Sequence, residues 1–210
     1  VIRDWSSDVC SSDLRHYVME MSKISDEWLN SKNSPELVFM LGKNNFQLPL
    51  DRRYFAALSA NNEVLGYVVF NPYKSKKGYI AEITRRKNDA PQGVLEKILY
   101  DAFQIFKSEG VTEATLGLSP LYNITPNRDL DVTANLMNYI YEHMNSFYNF
   151  KALHHAKEKY APTEWAPRYY VFYPQPFNPI YAYSIIRSQL PQKPSVLLFD
   201  IIKDRYFKRG

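Results

Sequence analysis

The chain has 210 residues, 23% of them charged, a formal net charge of +4 and a single cysteine. That length carries one hydrophobic core with room for an appendage, whereas one cysteine supplies neither a disulfide framework nor a thiolate metal site and points to a reducing compartment. No stretch approaches the ~20 apolar residues of a membrane span, and the moderate positive charge suggests anionic partners.

Taken in chain order, residues 4–14 read DWSSDVCSSDL, which matches the translation of a common sequencing-library adapter in one frame. A flexible Ser/Asp-rich N-terminus is the plainer alternative. The adapter reading sets residues 1–14 aside as foreign or disordered, removes Cys10, raises the formal charge to +6, and implies that the natural start is lost. Ser25, Asp26 and Glu27 predict the cap and acidic first turn of a short helix, ISDEWLNSK. RRYFAALSA (52–60) and EVLGYVVF (63–70) are β-rich runs around an Asn61-Asn62 turn. GYIAEITRR (78–86) reads as a third strand, with Tyr79, Ala81 and Ile83 alternating against Ile80, Glu82 and Thr84.

A basic loop, RRKNDAPQG, leads to a helix from about Pro91 to Ser108, with Val94, Leu95, Ile98, Leu99, Ala102, Phe103 and Phe106 at helical spacing and Gly110 as its stop. TEATLGL (112–118) predicts the next strand. A long helix follows over about 130–147, its stripe made by Leu136, Met137, Ile140, Tyr141 and Met144. After it come a short helix around 152–159 and a strand, RYYVFY (168–173). A proline-rich connector then leads to two helical candidates in the tail. The order β-β-β-α-β-α-β predicts an α/β fold, a mixed sheet flanked by helices, with a C-terminal helical tail. It resembles the GNAT acyltransferase plan, in which a helix after the central strand turns its N-terminus toward the acyl donor.

ISDEWL, then EITRR with APQGVLEKIL, then LGLSPL, and finally FYNFKALHHAKEKYAP followed by WAPRYY occur in order across residues 24–173. Through these segments the chain resembles the C-terminal catalytic region of phosphatidylglycerol lysyltransferases, aminoacyl-phosphatidylglycerol synthases also called multiple peptide resistance factors. The resemblance implies a pair of GNAT-like units with a tunnel between donor and acceptor sites. It implies transfer of an amino acid, commonly lysine or alanine, from aminoacyl-tRNA to the hydroxyl of phosphatidylglycerol, with no cofactor. Residues 15–174 would be the second half of the tandem GNAT unit and 175–210 a connector and tail. A first GNAT unit and a membrane flippase would lie outside this chain. The place implied is the cytoplasm, at the inner face of the cell membrane.

Three positions depart from the family pattern. Glu82 stands where D-L-M-R has Asp, one extra residue separates Pro162 from Trp165, and Ala166 replaces a residue that is often acidic. They bear on the choice of amino acid or acceptor more than on the fold.

Carried over onto this sequence, the resemblance implies Glu82, Arg85, Lys159 and Arg168 as catalytic residues. It implies Arg86, Ser119, Tyr148, Asn149, Lys157 and Trp165 as substrate contacts. Glu82 would hold the aminoacyl ammonium and Arg85 the phosphate or ester; the alternative is an ion pair at a sheet end. Three apart on one strand, the two start on opposite faces unless a bulge intervenes. RRKNDAPQG resembles a phosphate-binding loop at a helix N-terminus, although Gly93 is its only glycine, which weakens a CoA reading. Lys157 and Lys159 diverge by roughly 200° on a helix, so one faces the site and the other faces solvent or tRNA; the family pattern favours Lys159 for the site, with Lys157 second. Arg168 offers a bidentate fork, and Tyr148, Phe150, Trp165 and Tyr169 read as core or pocket wall. His154 and His155 show no acid partner and read as surface or tRNA-facing.

An aminoacyl-tRNA ester is already activated, so positioning and oxyanion stabilisation suffice and no covalent intermediate is required. Glu82, the tRNA 2′-hydroxyl and the substrate amine are all candidates for the proton acceptor. The tail, PSVLLFDIIKDRYFKR, suits anionic headgroups or docking on its own domain. Two other function classes fit: a different GNAT acyltransferase, using CoA or a peptide or sterol acceptor, and a non-catalytic tRNA- or membrane-binding module.

Overall fold

In the computed structural model, residues 1–4, 11–30, 52–73, 77–124, 132–143, 150–169, 171, 173 and 181 are described. The chain divides into two compact units, Val1–Gly117 and Leu118–Gly210. In the first unit, β1 (Ile2–Asp4) and α1 (Ser11–Asn30) precede a meander of β2 (Arg53–Leu58), β3 (Val64–Tyr73) and β4 (Gly78–Arg86). α2 (Val94–Ser108) then crosses over to β5 (Glu113–Thr115), which runs parallel to β4. The sheet order is β1-β2-β3-β4-β5, with every other pairing antiparallel. This mixed sheet with flanking helices is the α/β arrangement read from the sequence, with α2 following β4.

Both faces of the sheet are covered, which is why β3 reads as a nearly continuous apolar run. On one face α1 sets Tyr17, Met21 and Ile24, one helical stripe, against Ala56, Leu58, Val64, Tyr67, Val69 and Ile83. On the other, α2 contributes Val94, Ile98, Ala102 and Phe106 at successive i,i+4 positions. Phe106 meets Phe55 and Phe70 edge-on, at centroid separations of 5.5 and 5.0 Å.

Ser25 lies inside α1 and does not open a helix. It is 2% exposed, and its Oγ accepts a hydrogen bond from Tyr67 Oη at 3.2 Å. The apolar stripe carries the helix through this position, so the hydroxyl is satisfied within the core. The Asn61-Asn62 turn forms as expected: Ser59 and Glu63 pair through the backbone at 2.9 Å, and Asn62 takes φ 61°. α2 begins three residues after Pro91, at an N-cap Gly93 with φ 86°. It stops at Gly110, where Val111 N–H bonds Phe106 C=O at 2.9 Å and Gly110 N–H bonds Lys107 C=O at 3.2 Å, a Schellman closure. β5 is shorter than TEATLGL suggested, because the Gly117 N–H bonds Thr115 Oγ1 at 3.1 Å and the chain turns away.

The second unit contains α3 (Val132–His143) and α4 (Phe150–Glu158). The expected strand RYYVFY is not one at its described positions, and Tyr169, Val171 and Tyr173 are exposed. Its alternation of aromatic and branched residues suits a sheet, but strand propensity takes effect only beside a partner strand. Met144 and, apart from the helical Tyr181, both tail helices lie outside the described residues.

Candidate functional site

Val69 lies opposite Ile83, whereas Phe70 lies opposite Ala81, so Glu82 is the extra residue of a β-bulge. Before it, Tyr79 stacks on Phe106 of α2 at 4.5 Å. After it, Ile83 joins the core beneath α1. The alternation expected for Tyr79, Ala81 and Ile83 therefore breaks at Glu82. The break also brings Glu82 and Arg85 to one face. The Arg85 guanidinium lies 3.6 Å from the centre of the Trp28 ring on α1. The Glu82 carboxylate meets Arg52 Nη2 at 3.2 Å, beside Tyr54, which packs on the α1-side core.

These side chains differ in their access to solvent. Arg85 is 5% exposed, and its Nη1 donates to the Thr84 carbonyl at 3.1 Å. Stacking on an indole partly compensates the burial of that cation. Glu82 and Arg52 keep 21% and 23% of their side-chain surface. The buried Oε2 of Glu82 forms that ion pair without receiving a hydrogen bond of normal geometry. Burial raises the Tyr54 hydroxyl above the usual tyrosine range; Arg52 opposes the shift and Glu82 adds to it.

Arg86 braces the loop that follows, donating from Nη1 to the Ala90 carbonyl at 3.1 Å. Lys87 N–H bonds Leu65 C=O at 2.9 Å, and its ammonium lies 3.7 Å from Glu63. The loop is thus tied to the β2–β3 hairpin. Gly66 allows this closeness: a Cβ there would meet Arg85 O at 3.0 Å and both Arg86 Cβ and Val94 Cγ1 at 3.1 Å.

The remaining candidates belong to the second unit. Tyr148 and Asn149 lie outside the described residues. Lys157 is half-buried and donates to the Leu118 carbonyl, and this burial lowers its ammonium to about 8. Lys159 is exposed just past the end of α4, its Nζ 5.1 Å from the Tyr160 ring centre. The two lysines diverge as their spacing requires, and Lys157 is the one drawn in. Arg168 is exposed in extended chain and donates to the Pro167 carbonyl at 3.1 Å, so it does not start a strand.

His154 corrects the sequence reading. It is 7% exposed, stacked on Tyr122 at 3.5 Å and tilted against Trp165 at 4.7 Å. Its Nδ1 shares a hydrogen bond with Ser119 Oγ at 3.2 Å, and Nε2 lies 3.9 Å from Glu158. The acid partner was legible in the i,i+4 spacing on α4. His155 does face solvent. Arg52 and Trp28 left no comparable signal, because their contacts depend on the register of the sheet and the docking of α1.

A family described as "Phosphatidylglycerol lysyltransferase, C-terminal" matches residues 11–172. Among curated proteins, the phosphatidylglycerol lysyltransferase of Bacillus subtilis (strain 168) is 29% identical over 159 residues, covering 74% of this chain and 18% of that protein. An uncharacterized Corynebacterium glutamicum protein is 23% identical over 155 residues, 72% of this chain and 19% of its own length. This chain thus spans less than a fifth of either relative. Among solved structures, L-PGS from Bacillus licheniformis superposes with a TM-score of 0.54 at 22% identity, covering 78% of this chain and 47% of that one. The C-terminal domain of an Agrobacterium fabrum protein does so with a TM-score of 0.56 at 23% identity, covering 78% and 46%. These two likenesses show a shared fold.

Proposed function

Because the chain belongs to the phosphatidylglycerol lysyltransferase C-terminal family, we propose that it forms part of an enzyme moving an aminoacyl group from aminoacyl-tRNA to the hydroxyl of phosphatidylglycerol. The observation that carries this reading is the bulge at Glu82, which puts a carboxylate on the same sheet face as the Arg85 guanidinium. A carboxylate suits the α-ammonium of an aminoacyl ester, and a fixed cation suits its developing oxyanion or a nearby phosphate. In the transfer the lipid oxygen bonds to the ester carbonyl carbon, the bond to the tRNA ribose oxygen breaks, and the hydroxyl proton ends on that ribose oxygen. The chemistry is positioning and electrostatics.

Within the second unit, Lys157, Lys159 and Arg168 offer cations to phosphate; Ser119 and Trp165 both contact His154, and Lys157 reaches the carbonyl of Leu118 beside Ser119. Tyr148 and Asn149 keep the substrate-binding role the resemblance implies. The enzyme would work at the inner face of the cell membrane, where phosphatidylglycerol and aminoacyl-tRNA meet, alongside a preceding GNAT unit and flippase.

Incubation with labelled alanyl- or lysyl-tRNA and phosphatidylglycerol vesicles tests the reading. Label should enter lipid, and Glu82→Gln should cut the rate at least ~30-fold, the equivalent of ~2 kcal/mol. Transfer that survives Glu82→Gln unchanged removes the carboxylate from the reaction. Acyl transfer from CoA donors alone, or binding without turnover, points to one of the other function classes.

A further inference from the structure

We propose that Arg52 sets which amino acid the Glu82 site accepts, favouring an aminoacyl group whose only positive charge is its α-ammonium over one with a cationic side chain. This deepens the transferase reading and rests on it for the identity of the bound group.

Arg52 and Glu82 are distant neighbours in the sheet. Arg53 lies opposite Phe70 and Ala81 lies opposite Phe70 on the other side, so β3 runs between the two charged residues. The bulge allows the contact by turning Glu82 onto the face that Tyr54 shares. The 3.2 Å ion pair is a fifth exposed on each side, open enough for a ligand yet shielded from full screening.

The carboxylate is engaged but not saturated. An ionised carboxylate has about four acceptor sites, and the buried Oε2 of Glu82 takes no hydrogen bond of normal geometry from Arg52. An ammonium group would join the pair from the solvent side, at the exposed fifth of the Glu82 side chain, since Oε2 itself is buried. Charge balance then decides what else can enter. Glu82, Arg52 and Arg85 together carry a formal charge of +1 before any substrate arrives, and the α-ammonium raises it to +2. A lysyl or arginyl side chain would add a third net charge beside Arg52, with the buried Arg85 on the same sheet face and without a second carboxylate among these residues. Alanyl, glycyl or another neutral aminoacyl group avoids that repulsion. The family name points to lysine, whereas this local charge pattern points away from it.

The test measures binding of alaninamide and lysinamide, mimics of the two esters, by NMR titration of the 210-residue chain, its Arg52→Gln variant and its Arg52→Lys variant. The unmodified chain should prefer alaninamide, and Arg52→Gln should shift the affinity ratio toward lysinamide by about tenfold, a repulsion between partly screened like charges. Arg52→Lys, which keeps the charge, should leave the ratio where it was; a purely structural role for Arg52 would not produce this division. An unchanged ratio in Arg52→Gln, or no binding of either amide, overturns the proposal. The tRNA transfer assay on the same proteins separates the two ideas: a shifted ratio without transfer to lipid sinks the transferase reading and leaves amino-acid selection by Arg52 standing.

Discussion

Lys157 should make the stability of this protein rise with pH between about 8 and 10.5. Its ammonium titrates at about 8 instead of 10.5 because burial disfavours the charged form. Below about pH 8 the group is protonated in both the folded and unfolded chain, and the fold carries the full cost of holding it. Between about 8 and 10.5 the folded state has released the proton while the unfolded state still binds it, so unfolding free energy increases with pH. Taken whole, the shift corresponds to roughly 3 kcal/mol. The side chain keeps enough contact with water that screening reduces this to about 1–2 kcal/mol. Lys157→Met retains the length of the stem and removes the titration. Urea unfolding of both proteins across pH 7–10.5 isolates the effect, since other titrating groups cancel in the difference. Relative to the Met variant, the unmodified chain should gain about 1–2 kcal/mol over that range. The lost hydrogen bond to Leu118 enters as an offset rather than a slope. A difference that stays flat, or that falls with pH, refutes burial as the cause.

Phe106→Ala should destabilise the first unit by about 3–5 kcal/mol in chemical denaturation, because Phe106 packs on Phe55, Phe70 and Tyr79 at once. Gly66→Ala should cost about 1–3 kcal/mol by overpacking, with amide shifts in two-dimensional NMR concentrated at Arg85, Arg86 and Val94, the three residues a Cβ would strike.

Most of the fold was legible because periodicity reports burial. The stripe of α2 recurs at the spacing of a helix, and its stop at Gly110 is fixed by backbone chemistry that a glycine announces. The β2–β3 turn at Asn61-Asn62 was visible for the same reason. Failures came where a distant partner decides. Ser25 has the chemistry of a cap, yet Tyr67, 42 residues away, claims its hydroxyl. Tyr169, Val171 and Tyr173 have strand-like alternation but stand exposed. At the site, the residue types of Glu82 and Arg85 were readable, whereas Arg52 and Trp28 became their neighbours only through sheet register and helix docking. His154 is the exception, since its partner Glu158 lay four residues away on the same helix.

The spacing of Glu82 and Arg85 carries a wider lesson about reading motifs. On a regular strand, residues three apart point to opposite faces, so an acid-x-x-Arg pair on a strand reads as two unrelated side chains. One unpaired residue changes that parity, and here the residue out of register is the acid itself. The bulge is therefore inseparable from the chemistry it allows: without it, the Glu82 carboxylate would turn toward the α2 face, where Tyr79 and Phe106 stack. A carboxylate there would lose Arg52 and be desolvated among aromatic rings, where the Arg53 guanidinium over Tyr79 and Phe106 is already paired with Glu109. The ion pair with Arg52 thus helps hold the bulge in place, and the bulge holds the acid where an ammonium can reach it. Sheet distortion and charge arrangement are one feature, and a perturbation of either one should be felt in the other.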